Sequence, residues 1–255
     1  MNIFNIKLND KHNIRDFSYI INKEGYKIKK NSFIRADSLF DYSNLDINTL
    51  VNDYKLKTII DLRYDEEIVD CVYSIDNVKY YNISLLKHSR RGVTHEKNNK
   101  VKIDKVPNLC EIYKEIITSR YSKKQIKKIF KIIMNKKNSC VLFHCTIGKD
   151  RTGIIALLLL SMLDVDINDI RDDYMFTNTF TEEISNKMYD VYLEKSKSKE
   201  YALQQKDFYL AKEEYINYII DYMIGKSGSI INYIINEIGI SKRKIDKFKD
   251  DFLIK

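Results

Sequence analysis

The sequence predicts an α/β protein in which helices flank a central sheet and the C-terminal half is mostly helical. Three short apolar segments, at residues 57–62, 78–83 and 139–143, are each followed by polar or turn residues, as is typical of buried strands. Helical patterns separate them, and the pattern after the third segment is almost entirely helical. Alternating strands and helices favour helical layers packed on a sheet.

The helical patterns lie at residues 47–54, 108–119 and 122–135. The third coincides with the densest lysine cluster, at residues 123–137, in which isoleucine and phenylalanine recur at helical spacing. That arrangement indicates a solvated face above a stripe that faces the core. We expect a mobile loop at residues 90–105, which are charged and aperiodic. The charged helical stretch at 186–212 is either a surface helix or a lid over a site.

The chain is expected to form a single domain over residues 1–255, because one proline and seven glycines leave no flexible linker. The net charge of +8 favours anionic partners. Lysine is nevertheless spread along the whole chain and no nucleic-acid-binding module is recognisable, so nucleic acid is not expected. The sequence leaves the oligomeric state open.

The four cysteines form neither a C-x-x-C pair nor a Cys/His zinc pattern, so we expect no cofactor and no metal. No signal peptide is apparent at the N-terminus, although export by a route without a cleaved signal stays open. The longest apolar run, residues 154–163, is about half of what a bilayer requires, so no transmembrane segment is expected. These features predict a cytoplasmic protein with reduced thiols.

The segment 139–153, SCVLFHCTIGKDRTG, has the pattern of a strand, a tight loop and a helix. It places Cys145 at the end of the strand and Arg151, after five intervening residues, at the start of the helix. A helix N-terminus and nearby cations favour the thiolate form of a cysteine, which is the nucleophilic form. His144 is expected to support the loop by hydrogen bonding.

The same loop is suited to hold a phosphate group. Backbone N–H groups that curl onto a helix N-terminus form a cradle for an anion, and Gly148 permits the tight path. Arginine adds a planar, permanently charged fork for the phosphate oxygens, and Lys149 adds a second cation. The predicted phosphate-binding residues are Thr146, Ile147, Gly148, Lys149, Arg151 and Thr152.

Two carboxyl groups are candidates for the proton donor to the leaving oxygen. Asp150 lies inside the loop, where a bound phosphate dianion would favour its protonated form. Asp61, at the end of a neighbouring predicted strand, is the alternative. Thr152 is expected to hydrogen-bond the departing thiolate.

A cysteine and an arginine at this spacing recur by chance, so the prediction depends on the whole conjunction of strand, HC, glycine, lysine, arginine, Thr-Gly and helix. A module that binds phosphate without turnover is a rival interpretation, although Cys145, Asp150 and Arg151 are all present. Arsenate reduction would need a second thiol. Cys140 is five residues away on the strand, and that odd spacing points the two side chains to opposite faces.

The loop HCTIGKDRTG resembles the signature of the bacterial tyrosine/serine protein phosphatases, which are cysteine-based. Other segments are similar to motifs of that family and extend the resemblance over nearly the whole chain: NIRD at 13–16, FIRADSL at 33–39, DLR at 61–63, DYMFTN at 173–178 and the segment 227–241. The sequence departs from the family just after the N-terminal motif, where Ser18 and Tyr19 replace the usual glycines. It also departs in the 33–39 segment, where Ala36 stands in place of the common serine.

The resemblance implies the phosphatase α/β fold, with Cys145 as nucleophile, Arg151 as phosphate clamp and Asp150 as general acid. It also implies that further residues surround the loop, either as structural ion pairs or as substrate contacts: Arg15, Asp16, Arg35, Asp61 and Arg63. The expected activity is that of a protein-tyrosine phosphatase that acts through a phosphocysteine intermediate, and dual specificity is left open. A phosphorylated protein is the first choice of substrate, and a phosphoinositide is the alternative.

Overall fold

The structure is a computed structural model that describes residues 6–8, 11–68, 74–87, 106, 108–135 and 140–255. The loop predicted at 90–105 lies outside these residues. Seven strands are present in the described ranges: β1 (Arg15–Asp16), β2 (Lys27–Ile28), β3 (Phe33–Ala36), β4 (Leu56–Asp61), β5 (Lys79–Asn82), β6 (Cys140–His144) and β7 (Leu253–Ile254).

Five of the strands form the central sheet, in the order β1-β3-β6-β4-β5. β1 is antiparallel to β3, whereas β3, β6, β4 and β5 are mutually parallel. β2 and β7 form a separate antiparallel pair. Because β6 lies at the centre with parallel neighbours on both sides, the loop that follows it emerges between the carboxyl ends of β3 and β4.

Helices cover both faces of the sheet. Their bounds are α1 (Asn44–Asn52), α2 (Asp65–Ile68), α3 (Leu109–Thr118), α4 (Arg120–Ile133), α5 (Asp150–Met162), α6 (Ile167–Phe176), α7 (Asn178–Ser196), α8 (Lys199–Tyr209), α9 (Glu213–Ser227), α10 (Ile230–Tyr233) and α11 (Lys242–Phe252). The predicted fold class is thereby confirmed. The three predicted strands correspond to β4, β5 and β6, and the predicted helices to α1, α3 and α4, with ends that differ by one to three residues.

The sequence prediction missed β3 and treated the 186–212 stretch as continuous. β3 has a buried arginine, Arg35, in the middle of a four-residue strand, and an arginine hides the apolar pattern of a strand. The 186–212 stretch is a hairpin of α7 and α8. It breaks at Lys197, which has a left-handed backbone with φ of 56°, and the hydroxyl of Ser198 then caps α8 by accepting from the N–H of Tyr201.

The core is centred on α5, all of whose residues are buried. This explains the long apolar run at 154–163, because a helix enclosed on every side has no polar face. A larger apolar cluster surrounds α5 on one side of the sheet, and a smaller one joins α1 to the other side. Across the described ranges, no helix has the length and apolar character needed to span a bilayer.

Candidate active site

The candidate site lies at the carboxyl edge of the parallel strands, where α/β sheets usually bind ligands. The last residue of β6, His144, is paired in register with Ala36 of β3 and Asp61 of β4. Residues 145–149 form the loop, and α5 begins at Asp150. The short loop therefore brings the predicted nucleophile to the N-terminal end of a buried helix.

The outer side of the loop is held through three consecutive carbonyl groups. The carbonyl oxygens of residues 146, 147 and 148 accept hydrogen bonds from the N–H of Ser38 at 2.9 Å, the side-chain amide of Asn13 at 2.7 Å and the guanidinium of Arg35 at 2.8 Å. In a planar trans peptide the C=O and N–H groups point in opposite directions. The N–H groups of residues 147–149 therefore point to the other side of the loop, as an anion cradle requires.

Gly148 is the residue that makes this path feasible. Its φ of +71° lies in the left-handed region. A Cβ atom there would lie 2.7 Å from the carbonyl oxygen of Ala36 and 2.8 Å from Nδ2 of Asn13. Any side chain at this position would push the loop away from the segment that holds its carbonyl groups.

A buried ion-pair cluster fixes the arginine that binds the loop. The carboxylate of Asp173, in α6, accepts from Nε of Arg15 at 2.7 Å, from Nη1 of Arg35 and from the hydroxyl of Tyr19 at 3.0 Å. Burial alone would raise the pKa of Asp173, but the charges of the two arginines lower it below its ordinary value. The N-terminal motif and the α6 motif therefore meet around one carboxylate, behind the loop.

Arg151 forms a two-pronged ion pair with Glu67, a residue that the sequence interpretation missed. The guanidinium nitrogens lie 2.6 and 2.9 Å from the two carboxylate oxygens of Glu67. The same carboxylate accepts from the hydroxyl of Thr146 at 2.6 Å and from the N–H of Tyr64 at 2.8 Å. Burial would raise the pKa of Glu67, yet Arg151 lowers it below its ordinary value. Glu67 thus orients the fork that is predicted to clamp phosphate.

Asp150 is held by a cation and a phenol. Its Oδ1 accepts from Nζ of Lys149 at 2.5 Å and from the hydroxyl of Tyr113 at 2.5 Å. The Tyr113 hydroxyl lies in turn 2.8 Å from that of Tyr174. Burial, together with the charge of Asp150, raises the pKa of Tyr113 well above its ordinary value, so this phenol stays protonated. Neither tyrosine was identified from the sequence.

Aromatic residues of the C-terminal helices cover the side chain of Lys149. This lysine is fully buried, and its ammonium lies 5.9 Å from the ring centre of Phe208 in α8 and 5.7 Å from that of Tyr215 in α9. Rings at this distance attract a cation electrostatically. The α7–α8 hairpin therefore contributes directly to the surroundings of the loop.

Asp61 and its partners lie beneath the start of the loop. Its carboxylate is fully buried, 2.7 Å from the guanidinium of Arg63, 2.8 Å from the hydroxyl of Tyr80 and 3.5 Å from Nε2 of His144. Burial would raise the pKa of Asp61, but His144 and Arg63 together lower it to about 2. The other ring nitrogen of His144 is 2.9 Å from the carbonyl oxygen of Cys145 and ties this group to the loop.

Most of the predicted site residues lie in or around the loop, and Asp16 is the exception. Cys145 is buried, with 2% of its surface exposed. The hydroxyl of Thr152 is buried without a hydrogen-bond partner in the part of the chain that the structure describes. Asp16 instead accepts bonds from the N–H and hydroxyl of Ser18, and so shapes the turn after β1.

Comparison with known proteins agrees with the resemblance seen in the loop motif. The model of a family described as the tyrosine phosphatase family matches residues 6–254. Over 158 residues, 61% of the chain, the sequence is 33% identical to a tyrosine-protein phosphatase of Nostoc commune. That match covers 51% of the relative, so the chain spans about half the length of this curated protein.

Two solved structures are similar at lower identity. The core catalytic domain of PP-IP phosphatase SIW14 from S. cerevisiae is 18% identical with a TM-score of 0.36, and the match covers 80% of this chain and 94% of that one. TpbA from P. aeruginosa is 12% identical with a TM-score of 0.35, with 59% and 71% covered. Since the family model extends over nearly the whole sequence, the chain belongs to the tyrosine phosphatase family.

Proposed function

We propose that the chain hydrolyses phosphomonoesters through a phosphocysteine intermediate on Cys145, with phosphotyrosine in proteins as its substrate. The observation that carries this proposal is the row of three outward-held carbonyl groups at residues 146–148. It turns the N–H groups of residues 147–149 to one side, next to the sulfur and the start of α5, where an anion is stabilised.

In the first step the Cys145 thiolate attacks phosphorus while the bond from phosphorus to the leaving oxygen breaks. Asp150 gives that oxygen its proton, so that a neutral phenol departs. Arg151 and the loop N–H groups stabilise the charge on the equatorial oxygens. Glu67, which binds both terminal nitrogens of Arg151, acts as a positioning residue for the fork.

In the second step water attacks the phosphocysteine, and the bond between sulfur and phosphorus breaks. Asp150, now ionised, accepts the proton from water, and inorganic phosphate and the thiolate are released. The buried hydroxyl of Thr152 is suited to donate a hydrogen bond to the departing sulfur. No metal or cofactor has a role in this scheme.

The surroundings of the two candidate donors favour Asp150 over Asp61. Asp61 is fully buried against Arg63, and its pKa of about 2 keeps it ionised at neutral pH, so it has no proton to give. Lys149 and Tyr113 also favour the ionised form of Asp150. Unlike Asp61, however, Asp150 follows directly on the loop that is predicted to hold the phosphate, and a bound dianion favours its protonated form. Asp61 is therefore proposed as a structural carboxylate that supports Arg63 and His144.

The contacts of Lys149 bear on the choice of substrate. An additional cation in the loop suits a highly charged lipid head group, which is why a phosphoinositide is the alternative substrate. In the structure, however, the Lys149 ammonium binds Asp150 and is covered by Phe208 and Tyr215. A cation already engaged in this way favours phosphotyrosine. We propose residues 186–212, which comprise the second half of α7, all of α8 and the three residues that follow it, as a lid of the same single domain.

The test is hydrolysis of a phosphotyrosine peptide in EDTA, with acid quenching and mass analysis of the Cys145 peptide. Wild type is expected to release phosphate and to carry a transient phosphate adduct on that peptide. Cys145→Ser should lose both, whereas Cys110→Ser, a control at a partly exposed thiol, should keep both. Turnover by the Cys145→Ser variant would contradict the phosphocysteine route.

The same assay separates the rival functions. Release of phosphate from phosphoinositide vesicles but not from the peptide would keep the chemistry and change the substrate. Binding of vanadate or tungstate without turnover of either substrate would instead identify a phosphate-recognition module.

A further inference from the structure

A groove lies between α4 and α11, away from the loop that carries Cys145. It contains a cavity of about 270 Å³ that is lined in part by the turn at residues 239–240. α4 leads into the start of β6, whereas the catalytic loop follows the end of β6. Five strand residues extend about 16 Å, so the groove lies near the amino-terminal ends of the strands, whereas the loop lies at their carboxyl ends.

The floor of the groove is apolar. Phe130 of α4, Phe248 of α11 and Ile240 in the turn lie beneath it, packed in the core with little surface exposed. Met134, at the end of α4, is partly buried and also lines the cavity. Methionine adapts to differently shaped partners, which makes it common at binding surfaces.

The rim of the groove is basic. Lys127 and Lys131 stand one turn apart on α4, facing Lys244 and Lys247 on α11, and all four are exposed. The single acidic residue of the lining, Asp251, lies 3.5 Å from Lys247. The other three lysines form no ion pair with a carboxylate of the described residues, so the rim keeps a positive charge.

We infer that this groove binds an acidic amphipathic helix of a partner protein, which inserts aliphatic or aromatic side chains between α4 and α11. A cavity of this size lies just below the roughly 300–1,000 Å³ of small-molecule sites, and it suits anchor side chains better than a cofactor. Helices bind grooves through apolar residues spaced three or four apart. Glutamates beside those anchors would face the lysines of both walls.

An anionic membrane fits the groove less well. A bilayer surface is broad and flat, so it would contact the rim lysines and leave the concave apolar floor unused. The combination of floor and rim therefore favours a helix that presents both anchors and acids. Because the groove is remote from the loop, its occupancy is separable from the proposed hydrolysis.

The test uses the full chain and a fluorescent helical peptide with leucines at i, i+3, i+4 and i+7 and glutamates elsewhere on that face. Binding is measured by anisotropy. The double variant Lys131→Glu/Lys244→Glu is expected to weaken binding at least about tenfold. The matched control Lys124→Glu/Lys128→Glu changes the same charge on exposed α4 residues outside the groove and should stay within about twofold.

A second peptide with alanines in place of the leucines tests the floor, and its binding should fall at least about tenfold. Equal weakening by the two double variants would overturn the proposal, because it would reveal attraction by net charge alone. Failure of wild type to bind the leucine peptide would overturn it too, as would groove-dependent binding of phosphatidylserine vesicles without peptide binding. Turnover of phosphotyrosine peptide should be unchanged in both variants, which separates this inference from the proposed activity.

Discussion

Two buried sets of residues surround the loop at residues 145–149, and they differ in the groups through which they interact. The anchor cluster binds backbone carbonyl groups or the residues that do so; it consists of Asn13, Arg15, Arg35 and Asp173. The charge cluster consists of three side chains of the loop and of α5, Lys149, Asp150 and Arg151, together with their partners Glu67 and Tyr113.

From this difference we expect the anchor cluster to determine the conformation of the loop and the charge cluster to interact with the bound phosphate. A carbonyl group fixed from outside keeps its partner whether or not phosphate is bound, so the anchor cluster contributes mainly to stability and to the direction of the N–H groups. A side-chain ion pair can exchange one partner for a phosphate oxygen. Two arginines with similar burial, Arg35 and Arg151, should therefore respond very differently to the same substitution.

The largest effect is expected for Arg151→Lys. Lysine keeps the charge beside Glu67 but loses the planar fork, so kcat should fall roughly 10²- to 10³-fold with little change in Tm. The measurement is steady-state hydrolysis of a phosphotyrosine peptide together with a thermal unfolding curve. Arg120→Lys, at an exposed helix start, is the control and should match wild type. A kcat within threefold of wild type for Arg151→Lys would contradict the role of Arg151 as the phosphate clamp.

Asp173→Asn should instead produce the largest loss of stability. It leaves Arg15 and Arg35 buried without their shared carboxylate, and breaking such a cluster costs about 3–5 kcal/mol. Urea unfolding measures this difference. Asp164→Asn is the control: Asp164 is partly exposed with a left-handed backbone that asparagine tolerates, so a change within about 0.5 kcal/mol is expected. Equal losses in the two variants would contradict the role of the anchor cluster.

The sequence was sufficient for the part of the site that is contiguous in the chain. Residues 139–153 contain the strand, the loop, the arginine and the helix start, and each has a local signal. β4 and β6 were predictable for the same reason, because their apolar runs are short and end in polar residues. The buried helix after the loop followed from its uninterrupted apolar run at 154–163.

The parts that could not be predicted depend on pairing between distant residues. Glu67 stands beside Glu66 in an acidic stretch, and nothing local shows which of the two meets Arg151, 84 residues later. Tyr113 follows the apolar face of α3 and has the pattern of a core residue, so its hydroxyl bond to Asp150 appears only in three dimensions. One signal was available: a buried arginine requires a carboxylate, and a glutamate after the DLR motif was a natural candidate.

Asp61 provides a smaller test of the difference between stabilising and chemically active residues, because we propose that it supports the structure and does not donate a proton. Its pKa of about 2 lies below the unfolded value of about 3.9, so its stabilisation is fully present above that unfolded value and is lost as the pH falls towards 2. The total is about 2.6 kcal/mol, of which about half should be lost by pH 3.

Urea unfolding of wild type and Asp61→Asn at pH 5 and pH 3 measures this contribution. The difference in unfolding free energy between the two proteins should shrink by about 1 kcal/mol at the lower pH. The descending limb of the activity profile at high pH should stay in place in the variant. Loss of the descending limb in Asp61→Asn would identify Asp61 as the proton donor, and Asp61 would then be grouped with the charge cluster.

The smallest expected effect is that of Tyr113→Phe on the pH profile. Tyr113 donates to Oδ1 of Asp150 and so favours the ionised carboxylate, as does Lys149. Among the described residues, Tyr174 and Tyr215 are also titratable groups that the charge of Asp150 affects. Without this donor, Asp150 should stay protonated to higher pH. The descending limb of kcat/KM for a phosphotyrosine peptide should therefore move up by roughly half a unit to one unit.

Tyr174→Phe is the matched control for that shift. It removes a phenol from the same hydrogen-bond chain but leaves the Tyr113 hydroxyl bound to Asp150, so its limb should move less. A substrate whose leaving group needs no proton should show no such difference between the proteins, because Asp150 then has nothing to donate in the first step. A limb that is unchanged in Tyr113→Phe, or that moves to lower pH, would mean that the phenol only fills space, and Tyr113 would then belong with the core of α3 rather than with the charge cluster.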